Sequence, residues 1–240
     1  MSNKWQDIWN NKQPSFSEID LTNYKQVLLE MKRLSGWDHF GKGASVQYEA
    51  FEKESQYIKE NLCLQRGDTV FEVGCNAGAN LYLLARKGIK IGGMDYACQL
   101  VESAKRLLPK DMLIECSAGE AIDLTTEIKY DAVFAGGVFK YFPSLEYATT
   151  VLDKMLKKTK RSLGILRTTD AEKQEEFLAF KRLQIEDYDE KYKDLPELCI
   201  AKDFFAMWAQ KNHLDIKFSR CHIEGAWNEE FTYDCFMYLK

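Results

Sequence analysis

At 240 residues the chain is long enough for one good-sized α/β domain with a full core. Its formal charge of −4 excludes a general nucleic-acid binder, whose phosphate contacts call for a basic face. Seven cysteines, an odd number dispersed without a C-x-x-C pair, exclude a disulfide or zinc framework and point to reduced, buried thiols. The polar start lacks an apolar core of signal-peptide length, and no apolar segment is long enough to span a bilayer. A cytoplasmic protein with no membrane partner is expected.

The first sixty residues read as helices. Val27, Leu28, Met31 and Leu34 recur at helical spacing within Tyr24–Leu34, and Gly36 is a stop signal. The glycine-flanked stretch Trp37–Gly43 breaks the pattern, and Val46–Leu62 forms a further helix. A strict alternation follows: strand Thr69–Val73, helix Asn80–Lys87, strand Ile89–Asp95, helix Cys98–Leu108, strand Met112–Cys116, strand Ala132–Gly136, helix Leu145–Lys157, strand Ser162–Arg167. Such spacing predicts βαβ units and a parallel sheet covered on both faces. Near the C-terminus, helix Lys202–Lys211 precedes strands Leu214–Arg220 and Glu230–Leu239, whose short connection makes them antiparallel. In the last strand Phe231, Tyr233, Cys235, Met237 and Leu239 alternate onto one face. Lys154, Lys157, Lys158, Lys160 and Arg161 fall at a helix end and read as a solvated face, not an RNA patch.

The most informative stretch is Val70-Phe71-Glu72-Val73-Gly74-Cys75-Asn76-Ala77-Gly78-Ala79-Asn80, a strand, a glycine turn and the opening of a helix. A dinucleotide fingerprint needs G-x-G-x-x-G, but here the second glycine is Asn76 and the third Ala79. Asn tolerates positive φ, so the turn is kept while the pyrophosphate seat is degraded. Glu72 sets a carboxylate where a cationic part of a ligand fits, which favours a phosphate-free nucleoside with a positive amino-acid tail. On this motif the chain resembles the class I S-adenosylmethionine-dependent methyltransferases, whose first motif reads acidic-x-Gly-x-Gly-x-Gly. Glu72 to Gly78 matches it except at Asn76, and the resemblance runs over roughly Leu64 to Lys240 in element order. It implies a Rossmann-like, seven-stranded, mostly parallel sheet with an antiparallel C-terminal strand and helices on both faces. Residues 1–63 would form an N-terminal helical cap and residues 64–240 the methyltransferase domain.

In such sheets ligands bind beyond the carboxyl ends of the strands, near the switch point. Asp95 ends the second strand, where an ionised carboxylate accepts both hydrogen bonds of a ribose diol; the family's acidic residue here does that. Tyr96 offers a face for the adenine or a core aromatic, and Ser117 and Ala118 stand where family members contact the adenine edge. Ser117 and Glu120 equally fit a capping box. Gly136 and Gly137 let the backbone approach a ligand, followed by the aromatics of an acceptor pocket. With Glu72, Gly74, Asn76, Gly78, Asp95, Tyr96, Ser117, Ala118 and Gly136, the implied cofactor is S-adenosyl-L-methionine, leaving as S-adenosyl-L-homocysteine, and no metal is expected, although Asp170 follows the fifth strand.

For proton transfer the candidates are Tyr141 and His222, with Lys140 and His39 as rivals; His213 precedes a strand, at the wrong end of the sheet. The charged, tyrosine-rich segment Thr168–Ile200 reads either as a pocket-shaping insertion or as a solvated helix pair. No Asn/Asp-Pro-Pro-aromatic tetrad and no Pro-Cys pair occurs, so the signatures of DNA base methylation are missing. The expected activity is methyl transfer to oxygen or nitrogen of a small-molecule acceptor. An RNA methyltransferase, a nicotinamide-dependent oxidoreductase and a non-catalytic interaction protein are the alternatives.

Overall fold

The computed structural model describes residues 4–37 and 47–240. Its centre is a seven-stranded sheet built from β1 (Thr69–Val73), β2 (Lys90–Asp95), β3 (Leu113–Ala118), β4 (Tyr130–Gly136), β5 (Thr159–Thr169), β6 (Asp215–Ser219) and β7 (Thr232–Tyr238). The strand order is β3-β2-β1-β4-β5-β7-β6. Pairing is parallel from β3 through β5 and antiparallel on both sides of β7, so β7 alone runs against the rest. This is the Rossmann-like architecture expected from the element order.

The central strand is apolar because it has no solvent-facing side. Val70 pairs with Ile91 on one flank and Ala132 on the other, and Val70 to Val73 are all buried. Chain order reverses at β1, whose neighbours β2 and β4 leave in opposite directions, so the loops after β1 and β4 diverge and open a crevice.

Helices cover both faces. On one side α2 (Tyr24–Lys32), α3 (Tyr48–Asn61), α4 (Ala79–Arg86) and α5 (Cys98–Leu107) share a single apolar cluster with β1 and β2. Asn23 caps α2 by accepting from the amides of Lys25 and Gln26, and Val27, Leu28 and Met31 then point inward, as the periodicity predicts. A wide helical turn continues from Arg33 to Trp37 and turns at Gly36, which adopts φ of 87°. On the other side α6 (Leu145–Lys158) and α9 (Lys202–Lys211) pack on β4, β5 and β7. Shorter helices α1 (Lys4–Asn10), α7 (Gln174–Gln184) and α8 (Tyr188–Tyr192) lie towards the rim.

Three sequence expectations change. Alternation in the last strand predicts one buried face, yet Thr232 to Met237 are buried without a break. The strand is internal, with β5 and β6 on its flanks and side chains packed on both faces. Lys158 is not part of a solvated basic face: it is fully buried, donating to Glu115 at 2.9 Å and to the Thr125 carbonyl at 3.0 Å, with its ammonium 4.4 Å from the Phe71 ring centre. The seven thiols are free, but only Cys75 and Cys235 are buried, whereas Cys63 and Cys98 are exposed.

Packing under β2 is tight enough to test. A Cβ at Gly92 would lie 2.3 Å from the hydroxyl of Tyr130, which is fully buried and has no room to retreat. Gly92→Ala is expected to lower unfolding free energy by about 1–3 kcal/mol, the usual cost of overpacking. Urea denaturation should show this as a lower midpoint with an unchanged slope.

Candidate functional site

A single turn organises the crevice. After β1, Gly74 (φ 71°), Asn76 (φ 52°) and Gly78 (φ 83°) take left-handed conformations, and Asn76 is one of the few non-glycine types that does so readily. Gly74 admits no side chain, since a Cβ would lie 2.2 Å from a methyl of Val138. The turn then spends its own donors. Gly74 and Cys75 amides both donate to the Met94 carbonyl at 2.8 Å. The Asn76 amide donates to Asp95 Oδ2 at 2.8 Å, Ala77 to Asn76 Oδ1 at 2.9 Å, and Gly78 to the Cys75 carbonyl at 2.8 Å. No amide from Gly74 to Gly78 remains for a pyrophosphate, so the phosphate-binding use of this loop is closed.

Asp95 closes β2 and is 6% exposed. Besides Asn76 it accepts from the Ala97 amide at 2.9 Å through Oδ1, so each oxygen of this cleft-lining carboxylate retains acceptor capacity. Burial raises its pKa to about 6 against these hydrogen bonds. Glu72, at the same level on β1, is 2% exposed. Its Oε1 accepts from Asn80 Nδ2 at 2.7 Å, while Oε2 has no hydrogen-bond partner among the described residues. Burial raises Glu72 to about 8, partly offset by the Asn80 bond and Lys32.

The cleft is bounded by Trp9, Trp37, Tyr96, Tyr141 and Trp227, with the β4 end as its floor. Gly136 is small for a reason: a Cβ there would stand 3.0 Å from Arg167 Nη2 and 3.3 Å from both Asn80 Nδ2 and Glu72 Oε1. Tyr141 packs edge-on against Trp5 with centroids 4.7 Å apart, and burial raises its hydroxyl pKa, so it is a hydrogen-bond donor at neutral pH.

Of the sequence-nominated residues, Glu72, Gly74, Asn76, Asp95, Tyr96, Gly136, Lys140 and Tyr141 line this one cleft. Gly78 shapes the turn from behind, against Leu108. Ser117 and Ala118 are exposed at the end of β3, outside the cleft lining, and no capping box forms there, because Glu120 receives the Tyr147 hydroxyl at 3.4 Å. His222 does not join the cleft: it is exposed, with Nδ1 2.5 Å from Glu229 Oε1. His213 sits in the turn before β6, and His39 lies outside the described residues. Asp170 is tied to Lys202 at 2.7 Å and accepts from the Glu172 amide, a turn carboxylate. The Thr168–Ile200 segment forms the helix pair α7 and α8, and it reaches the cleft through others, with Phe180 stacked on Trp227 at 5.6 Å.

Sequence reasoning missed Lys32 and Arg167. Lys32 lies four residues after Leu28 and one after Met31, on the buried stripe of α2. It is 2% exposed, and its ammonium donates to Glu54 Oε2 and Asn80 Oδ1, each at 3.0 Å. Arg167 follows the strand-end rule that singled out Glu72 and Asp95, and it pairs with Glu54 Oε1. Its backbone, at φ 52°, is held by the amide donating to Asp234 Oδ1 at 2.8 Å.

Residues 71–163 match the family profile described as a methyltransferase domain. That match falls on the stretch whose Glu72–Gly78 motif resembles the class I S-adenosylmethionine-dependent methyltransferases. A malonyl-[acyl-carrier protein] O-methyltransferase from Priestia megaterium is 28% identical to this chain over 102 residues, 42% of this chain and 36% of that protein. Peramine synthetase ppzA from Metarhizium rileyi is 29% identical over 127 residues, 48% of this chain and 4% of that protein. The match thus spans well under two thirds of either curated relative. Among solved structures, the magnesium protoporphyrin IX methyltransferase from Synechocystis with bound SAH superposes with a TM-score of 0.62 at 14% identity, covering 92% of this chain and 100% of that one. The N-methyltransferase NodS from Bradyrhizobium japonicum gives 0.56 at 17% identity, covering 80% and 97%. These likenesses establish the shared fold.

The buried Glu72 makes ligand-free stability pH-dependent. Its folded pKa of about 8 exceeds the ordinary 4.5, so the folded protein holds a proton that the unfolded chain has already lost. Stability from this group is full below about 4.5 and is lost as pH rises to about 8, at up to about 1.4 kcal/mol per unit. Glu72→Gln keeps the acceptor for Asn80 and removes the titration. Its unfolding free energy relative to wild type should climb across that window in denaturant titrations; parallel curves would show Glu72 already ionised.

Proposed function

We propose that this chain is an S-adenosylmethionine-dependent methyltransferase acting on an oxygen or nitrogen atom of a small-molecule acceptor. The observation that carries the reading is the saturated turn after β1: its amides are spent internally while two buried carboxylates, Glu72 and Asp95, line the crevice. A pyrophosphate needs the reverse, free amides and few acids. An adenosine bearing a cationic amino-acid tail fits what is present, and the orphan oxygen of Glu72 has the chemistry to receive its ammonium.

In this reading Asp95 holds the ribose diol through its free lone pairs. Tyr96 offers its ring to the adenine, with Ser117 and Ala118 on the same side at the end of β3. Gly136 keeps the floor open so that donor and acceptor approach without a side chain between them. When bound, the cofactor supplies a methyl group already activated on a sulfonium. The protein's contribution is therefore chiefly alignment, which lowers a barrier by about 7–11 kcal/mol when two reactants are held in register. Tyr141 orients the acceptor by donating a hydrogen bond, and the aromatic rim excludes water. The exposed, Glu229-paired His222 is the weaker of the two nominees for proton transfer. The acidic net charge supports a small acceptor over RNA.

Calorimetry with S-adenosylhomocysteine tests the cofactor assignment. Asp95→Ala should weaken binding at least about tenfold, the scale of a lost charged hydrogen bond; unchanged affinity removes Asp95 from the site. NADH, run beside it in a thermal-shift assay, should leave the melting temperature where it was. Once an acceptor is in hand, Tyr141→Phe should lower turnover, and undiminished turnover would release Tyr141 from the reaction.

A further inference from the structure

One corner of the cleft gathers two cationic side chains on a single shared carboxylate. Lys32 and Arg167 both line it, and between them they share one carboxylate, Glu54, with Oε2 on the lysine and Oε1 on the arginine. The Trp37 ring lies against both cations, 5.6 Å from the ammonium and 5.7 Å from the guanidinium carbon. The other acid within reach, Glu72, is engaged by Asn80 and is held largely protonated at neutral pH by burial. Burial, and then repulsion from Arg167, push the Lys32 ammonium well below its ordinary pKa. Asp234 stands behind Arg167, where its charge favours the guanidinium, and it accepts from the amides of Arg167 and Cys221 and the Tyr57 hydroxyl. Among the described residues Glu54 is the one carboxylate ion-paired with either cation, and the lysine and arginine keep further N–H donors that an incoming anion can engage.

Strand order says where that anion belongs. Asp95, the proposed ribose holder, ends β2; Glu72 and Gly136 end β1 and β4, and Arg167 stands on β5. A ligand with its ribose over β2 and running along this row brings its far end to Lys32 and Arg167. We propose that Lys32 and Arg167, bridged by Glu54, form the seat for the carboxylate of the cofactor's amino-acid tail, with Glu72 Oε2 facing the neighbouring ammonium. This rests on the cofactor assignment above and extends it. It makes α2, outside the residues matched to the methyltransferase domain, a working part of the binding site.

Three commercially simple ligands separate the parts of the tail: S-adenosylhomocysteine, its decarboxylated analogue 5′-deoxy-5′-(3-aminopropylthio)adenosine, and 5′-methylthioadenosine, which lacks both charges. Calorimetry on wild type should rank the first at least about tenfold tighter than the second. Lys32→Met should shrink that gap to less than about threefold and leave affinity for methylthioadenosine nearly unchanged, while Lys32→Arg should restore most of the gap. Ligand-free thermal melts confirm that each variant is folded, and should Lys32→Met not fold, Arg167→Lys carries the same comparison and is expected to shrink the gap selectively. A gap that survives Lys32→Met or Arg167→Lys, or equal weakening of all three ligands, overturns the assignment. So does the absence of a gap in wild type, the result expected if an acceptor's own carboxylate occupies the corner. In that case methylthioadenosine binding leaves the cofactor reading intact; if no adenosine compound binds wild type, the cofactor reading fails as well.

Discussion

The cleft depends on a tie between two loops. The Met94 carbonyl takes the amides of Gly74 and Cys75, and the next residue, Asp95, takes that of Asn76. Three consecutive amides of the first turn are thus anchored to the last two residues of the second strand. The tie fixes how far the first turn leans from the sheet, hence the space in front of Gly136, and it aims the Asp95 carboxylate. Asn76 adds to the loop's closure to phosphate, since its side chain accepts the next amide, which a glycine at this position would leave open.

Around that tie the site is built from charges that the interior tolerates only in company. Glu72 hangs on Asn80, Asn80 on Lys32, Lys32 and Arg167 on Glu54, and the backbone of Arg167 on Asp234. The Lys32–Asn80, Arg167–Glu54 and Arg167–Asp234 links cross between elements distant in sequence, so the N-terminal helices, the first strand and the last strand are held together at the cleft. Isolated, any of these groups would be expelled or neutralised; linked, they remain polar and ready to exchange an internal partner for a ligand.

What the sequence disclosed, and what it withheld, follows from how local each signal is. The strand–turn–helix around Gly74 is legible because every constraint on it, apolar run, positive φ and helix opening, falls within a dozen residues. Asp95 is legible because strand ends face the ligand. The same rule reaches Arg167, but the ambiguity of an arginine at an element boundary hides it without knowledge of Glu54. Lys32 is hidden more deeply, since a lysine beside Met31 reads as the rim of an amphipathic helix until α4 delivers Asn80 to its tip. Lys158 illustrates the opposite error: a run of basic residues suggests solvent, yet one of them is drawn inside by Glu115 and two aromatic rings. The burial of β7 on both faces is illegible because alternation reports which face is apolar but not whether a second layer covers the other face.

That internal position of β7 bears on how the molecule assembles. Strand β5 finds its second neighbour not in the next stretch of chain but beyond α7, α8, α9 and β6, some sixty residues further on. Until that stretch is available, the parallel half of the sheet presents an unpaired row of backbone donors and acceptors along β5, an invitation to pairing between molecules. During synthesis the nascent chain must keep that row shielded, and the late arrival that covers it also brings Asp234 to fasten Arg167. The strand that completes the sheet is also the one that fastens a wall of the cleft.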